Sequence, residues 1–285
     1  MRERFVLCHS PAGFHRMAYT EWGAPDNPRV LVCAHGLTRT GRDFDTLAQA
    51  LSGSYRVVCP DVVGRGASDW LTDARYYGTP QYVQDMVALL ARLDVEQIDW
   101  LGTSMGGIIG MALAAQAGSP IRRLILNDVG AVISAAALER IGAYLAAAPE
   151  RFASFDAAEA WVRETYAAFG PHSDEQWREL ARHSVKPDGA GGFKLHYDRA
   201  IAQAFAAAQE ALGKGQDMTL WPLYDAIRCP TLVVRGQRSD LLTRETVAAM
   251  EERGPRAKSV EIPGVGHAPT FMDEAQIRLV REFLC

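Results

Sequence analysis

The segment Gly102-Thr103-Ser104-Met105-Gly106-Gly107 lies between an apolar run, Ile98-Asp99-Trp100-Leu101, and a stretch of helical composition. A serine flanked by glycines at such a junction calls for a sharp strand-to-helix turn. A Cβ at Gly102 or Gly106 would clash as the strand and the helix close on each other. The turn projects the Ser104 hydroxyl outward. It also leaves the Met105 N–H free at the helix start, where it can bond a developing negative charge.

The surrounding periodicity assigns this turn to a parallel sheet. Strand-like runs alternate with amphipathic ones: Arg29 to Ala34 as a strand, Arg42 to Leu51 as a helix, Tyr55 to Cys59 as a strand, and Tyr82 to Leu93 as a helix capped by Thr79 with Pro80 in its first turn. The alternation continues with Gln97 to Leu101, Met105 to Gln116 as a helix, and Arg122 to Asn127, which together predict a doubly wound α/β sheet. From about Ala131 to about Leu220 the strand signal disappears. Ser134 to Ala148, Phe155 to Phe169, Asp174 to His183 and Tyr197 to Leu212 carry helical periodicity instead, broken by the loop Gly189 to Gly192. Sheet patterning returns with Thr231 to Arg235, Arg244 to Glu252 as a helix, Ser259 to Ile262, and a closing helix from Asp273 to Phe283.

A serine hydroxyl is a weak nucleophile at neutral pH and needs a base within hydrogen-bond reach. Of the seven histidines, His267 alone sits in a glycine-rich loop, Pro263-Gly264-Val265-Gly266-His267, directly after the last expected strand. That places it at the same sheet edge as Ser104. His9, His15, His172, His183 and His196 have no comparable context. The histidine in turn needs a carboxylate to fix its tautomer and to stabilise its protonated form. Asp240 follows the strand Thr231 to Arg235 through Gly236-Gln237-Arg238-Ser239 and gives the chain order serine, acid, histidine, so it is the favoured acid. Asp128, at the end of Leu124 to Asn127, is its competitor.

A second donor to the oxyanion is expected from His35-Gly36-Leu37-Thr38-Arg39-Thr40, where the Leu37 N–H can meet that of Met105 across a bound carbonyl. His35 either supports this loop or is a buried, hydrogen-bonded histidine. Arg39 either receives a substrate carboxylate, is a solvated loop arginine, or forms a structural pair with Asp43 or Asp45. Trp161, Phe169, Trp177 and Phe205 either line a cleft above the serine or make up the core of the helical segment.

The His35-Gly36 turn, Pro60-Asp61 with Gly64-Arg65-Gly66-Ala67-Ser68, the Ser104 elbow, the Asp240 loop and the Gly266-His267 loop together resemble the α/β-hydrolase superfamily, specifically its capped esterase, lactonase and carbon–carbon-bond hydrolase branch. The resemblance implies an α/β-hydrolase core of residues 1–130 and 221–285, with residues 131–220 as a helical cap. It further implies that a small carboxylic ester or lactone is cleaved through an acyl-enzyme. Carbon–carbon bond hydrolysis, or a ligand receptor on the same fold, are the alternatives. Serine at the elbow sets the chain apart from the dehalogenases and epoxide hydrolases of this fold, which use aspartate there.

Other chemistry finds no foothold in the sequence. There is no H-E-x-x-H, no paired cysteine–histidine spacing and no phosphate-binding glycine loop, so no metal or cofactor is expected. A net charge of -4 over 285 residues provides no general cationic field for nucleic acid, and a small molecule is the expected partner. The five cysteines read as reduced packing residues or bystanders. The charged amino terminus and the lack of a long apolar run predict a cytoplasmic protein without membrane spans.

Overall fold

The computed structural model describes residues 1–285. The chain opens with a hairpin, β1 (Arg2–Ser10) and β2 (Gly13–Trp22), followed by β3 (Val30–Ala34), α1 (Asp45–Leu51), β4 (Arg56–Pro60), α2 (Thr79–Leu93), β5 (Ile98–Thr103), α3 (Met105–Ala114) and β6 (Ile121–Asn127). An insertion then supplies β7 (Val132–Ile133), α4 (Ala135–Ala147), α5 (Phe155–Thr165), α6 (Asp174–Ser184), β8 (Val185–Pro187), β9 (Phe193–Leu195), α7 (Ala200–Leu212) and β10 (Met218–Thr219). The chain closes with α8 (Trp221–Ala226), β11 (Thr231–Gly236), α9 (Arg244–Glu252), β12 (Lys258–Ile262) and α10 (Glu274–Leu284). No helix is long and apolar enough to cross a membrane.

Eight strands form one sheet in the order β1-β2-β4-β3-β5-β6-β11-β12. The hairpin and its pairing with β4 are antiparallel, and every pairing from β4 to β12 is parallel. Successive residues of the central strands serve opposite faces, as the pleat requires. Val30, Val32 and Ala34 of β3 join one core with Trp100 and Leu124, while Leu31 and Cys33 join the other with Leu101 and Ile125. Burial on both faces explains why these strands read as unbroken apolar runs. The winding reverses between β3 and β5, and open α/β sheets bind ligands outside the carboxyl ends of strands at such a point.

Three features depart from the sequence reading. The antiparallel hairpin is not signalled, because Phe5 and Leu7 face solvent, each 58% exposed, and blur the apolar alternation of β1. The helix cap before Pro80 is Gly78, with Thr79 already inside α2. The insertion also contains strands, in two small antiparallel pairs, β7 with β10 and β8 with β9. Runs of two or three residues are too short to register as periodicity.

At the switch point, the loops after β3 and β4 are tied together by buried polar side chains. His35, after β3, accepts the Val62 N–H at Nε2 (2.9 Å) and donates from Nδ1 to the Gly36 carbonyl (2.7 Å), so the ring is neutral. Asp61 accepts the Gly41 and Ala67 amides at 2.7 and 2.8 Å. Arg65 reaches back to the Leu37 carbonyl at 2.9 Å. Complete burial lowers the His35 pKa from 6.5 to about 4. Between those values the unfolded chain takes up a proton that the folded ring refuses. The stability linked to His35 is therefore complete above about pH 6.5 and is lost as the pH falls toward 4. His35→Gln should be less stable than the wild type at neutral pH, and the gap between their melting temperatures should narrow from pH 6.5 to 4. A constant gap across that range would show that His35 does not titrate as described.

Candidate active site

The elbow forms as its glycines demand. A Cβ on Gly102 would lie 2.2 Å from the Gly106 carbonyl oxygen, and one on Gly106 would lie 2.0 Å from that of Ala34. The first glycine lets the strand meet its own helix; the second lets that helix press on the neighbouring strand β3. Ser104 itself adopts φ 52°, a conformation sparsely populated by non-glycine residues and costing about 1–3 kcal/mol. Its amide is fixed by the Asn127 carbonyl at 3.0 Å, and the next turn by a bond from the Gly106 amide to the His35 carbonyl at 3.1 Å.

His267 Nε2 lies 3.0 Å from Ser104 Oγ, across 163 residues of sequence. Two backbone bonds seat its loop, from Gly266 N to Ala168 O at 2.7 Å and from Arg238 N to Val265 O at 2.8 Å. The Asn127 side chain adds a third, donating to the Pro269 carbonyl at 2.8 Å. The serine and histidine thus meet beyond the carboxyl ends of the parallel strands.

The carboxylate against the histidine is that of Asp128, and this corrects the sequence expectation of Asp240. Asp128 Oδ2 lies 2.7 Å from His267 Nδ1 and its side chain is fully buried. The β11 loop contributes donors in place of an acid: the Gly236 amide reaches Asp128 Oδ1 at 2.7 Å, and the Ser239 hydroxyl reaches Oδ2 at 2.5 Å. With Ser239 filling the space beside Asp128, Asp240 is turned outward. It is exposed and pairs with Arg140 of α4 at 2.5 Å. Chain order placed an acid after β11, but the strand end that faces the histidine is that of β6.

The Leu37 and Met105 amides are the two expected oxyanion donors, and neither donates to any backbone or side-chain acceptor of the chain. Arg65 ties the two residues together and was assigned no role from sequence. It is fully buried, donating to the Leu37 carbonyl at 2.9 Å, to the Val63 carbonyl at 2.7 Å and to the Tyr82 hydroxyl at 2.9 Å, while Met105 Sδ lies 3.6 Å away. Its only sequence signal was its place between Gly64 and Gly66.

Two cavities meet at Ser104. One, of about 380 Å³, is lined by His267, Thr38, Tyr166, Phe169, Arg140 and Arg238, among others. The second, of about 180 Å³, is predominantly apolar and includes Met105, Ile108, Ile201, Phe205, Leu212 and Met218. Leu37 and Ile141 belong to both.

The remaining expectations divide. Phe169 and Phe205 line cavities, but Trp161 and Trp177, expected to bind substrate, do not. Trp177 is buried with Val162, Tyr166, Leu180 and Ala181, and Trp161 packs between Phe152 and Tyr166 at ring distances of 5.6 and 6.1 Å. Both serve the insertion's own core. Arg39 borders the larger cavity, yet its guanidinium is held by Asp43 at 2.8 and 2.6 Å and lies 4.7 Å from the centre of the Tyr166 ring. It is the structural pair rather than the carboxylate receptor. Burial opposes its charge, but Asp43 outweighs that cost and raises its pKa.

A serine, an imidazole and a buried carboxylate in this chain of hydrogen bonds can carry out nucleophilic acyl transfer. Comparison with known proteins fits that chemistry. Residues 31–281 match the model of the alpha/beta hydrolase family. The chain is 59% identical over 283 residues to the 3-hydroxybutyrate-oligomer hydrolase of Cupriavidus necator, covering 98% of this chain and 96% of that protein. Among solved structures, a proposed hydrolase from Rickettsia typhi superposes with a TM-score of 0.92 at 33% identity, covering 100% and 99% of the two chains. An alpha/beta hydrolase from Novosphingobium aromaticivorans does so with 0.85 at 35% identity, over 99% and 97%. The chain therefore belongs to the α/β-hydrolase family.

Proposed function

We propose that the protein hydrolyses short oligoesters of 3-hydroxy acids, with Ser104 as nucleophile, His267 as general base and then acid, and Asp128 as the carboxylate that holds the histidine. The observation that carries this reading is the unbroken path from Ser104 through His267 to the buried Asp128, at 3.0 and 2.7 Å, on the wall of a substrate-sized cavity. The substrate class comes from the Cupriavidus necator relative.

Each step follows from the atoms in place. Asp128 accepts the Nδ1–H of His267, which leaves Nε2 free to take the Ser104 proton as Oγ attacks the ester carbonyl. The tetrahedral oxyanion is met by the Leu37 and Met105 N–H groups, whose free donors need no reorganisation. The imidazolium formed is stabilised by Asp128, which is held in place by donors from Gly236 and Ser239. His267 then protonates the departing alkoxide, and a water activated by the same nitrogen releases the acyl group.

Residues 131–220 act as a cap in this reading. Their side chains close the apolar cavity over Ser104, and Ile201, Phe205 and Leu212 of α7 set the length of acyl group admitted.

Purified enzyme should release 3-hydroxybutyrate from its linear dimer and trimer, and Ser104→Ala should lose both that turnover and labelling by a fluorophosphonate. Asp128→Asn should lower turnover of a neutral aryl ester by about 10³ to 10⁴, because an amide can hold the wrong tautomer and cannot stabilise imidazolium. Asp240→Asn should stay within a fewfold of wild type; the opposite ranking would return the acid to Asp240. Phe205→Ala should shift the preference among aryl esters toward longer acyl chains, and an unchanged preference would place the acyl group outside the apolar cavity.

A further inference from the structure

Oligoesters of a hydroxy acid have two chemically distinct ends, a neutral hydroxyl and a carboxylate. Cleavage leaves the hydroxyl end on the acyl group and the carboxylate on the departing alcohol. The two cavities differ in the same sense. His267, which must protonate the departing oxygen, borders the larger cavity and not the apolar one, whereas Met105 borders the apolar cavity and not the larger one. The leaving segment is therefore on the His267 side, in the cavity that also carries charged residues, and the acyl group is on the apolar side.

Three arginines line that larger cavity. Arg39 is held by Asp43 and Arg140 by Asp240, so their charges are matched within the protein. Arg238 is exposed and forms no ion pair. It sits in the loop between β11 and α9, and its amide donates to the Val265 carbonyl at 2.8 Å, two residues before His267. That bond ties the unmatched cation to the loop carrying the histidine. A guanidinium presents paired donors in a plane, the geometry a carboxylate accepts.

Resting on the function proposed above, we propose that Arg238 receives the free carboxylate of the leaving hydroxy acid, and so selects substrates whose departing end is a short acid. The hydroxy-acid product should then remain in the same place as an inhibitor.

The test compares the 3-hydroxybutyrate dimer with its methyl ester, which replaces the charge by a neutral group, and scores only cleavage of the internal ester bond. Wild type should favour the free acid in kcat/KM. Arg238→Gln should reduce that ratio about tenfold, the size expected of a partly exposed charged hydrogen bond, and Arg238→Lys should retain part of it. The preference should also weaken with added salt. In a second measurement, free 3-hydroxybutyrate inhibits hydrolysis of an aryl butanoate, and its Ki should rise about tenfold in Arg238→Gln. Because the side chain is exposed, the variant should melt with the wild type. An unchanged ratio with an unchanged Ki would overturn the assignment, as would equal losses on acid and methyl ester. Failure of the wild type to cut the dimer while it cuts the aryl ester would remove the substrate proposal, and the Ki comparison would still decide Arg238.

Discussion

A guanidinium buried without a carboxylate holds the site together. Arg65 satisfies its donors on two carbonyls and the Tyr82 hydroxyl, with Met105 Sδ close by, and rests 4.9 Å from the centre of the Tyr82 ring. Burying such a charge costs several kcal/mol unless its hydrogen bonds are made, so the elements that supply them are constrained together. Those elements are the loop after β3, the loop after β4, α2, and the first residue of α3. Leu37 and Met105, which present their amides to the developing oxyanion in the proposed mechanism, are both touched by this one side chain. His35, through one amide, and Asp61, through two, bind the same loops from behind. Burial raises the Asp61 carboxyl to about 6 in spite of the two amides it accepts. The proposed chemistry thus stands on loops held from below by buried polar side chains.

Much of this was legible in the sequence because it is dictated locally. A serine between glycines where a strand feeds a helix has few conformations open to it, and Ser104 is where those residues require. His267 was legible for a related reason, since a glycine-rich turn after the last strand can deliver a histidine to only one sheet edge. The acid was not legible, because its identity depends on which strand end faces the imidazole across the sheet. Asp128 and Asp240 both follow strands, and the register between β6 and β11 decides between them. The Asp128 amide bonds the Val234 carbonyl at 2.7 Å, and its φ of 52° turns the side chain toward His267. No periodicity reports a single left-handed residue. The role of Arg65 was hidden likewise, since its partners come from four separate segments.

The aromatic residues of the insertion show where composition misleads. Trp161, Phe169, Trp177 and Phe205 have the same apolar character, yet two of them border cavities and two form a small core with Val162 and Leu180. A helical segment packed on a sheet needs its own interior before it can offer a wall to anything else. The largest rings go to that interior. The walls are left to residues such as Phe169 and Phe205.

The two cavities meet only around Ser104 and the few residues beside it, and this gives the proposed reaction a direction of traffic. The departing acid leaves on the side of His267, and the water that frees the acyl group must arrive at the same nitrogen from the same side. Exit therefore has to precede entry. An acid that lingers stands in the path of the water, so the second half of each cycle waits on clearance of the first product. Turnover would then be governed at a doorway, and a cell that consumes the free hydroxy acid would speed the enzyme without altering it.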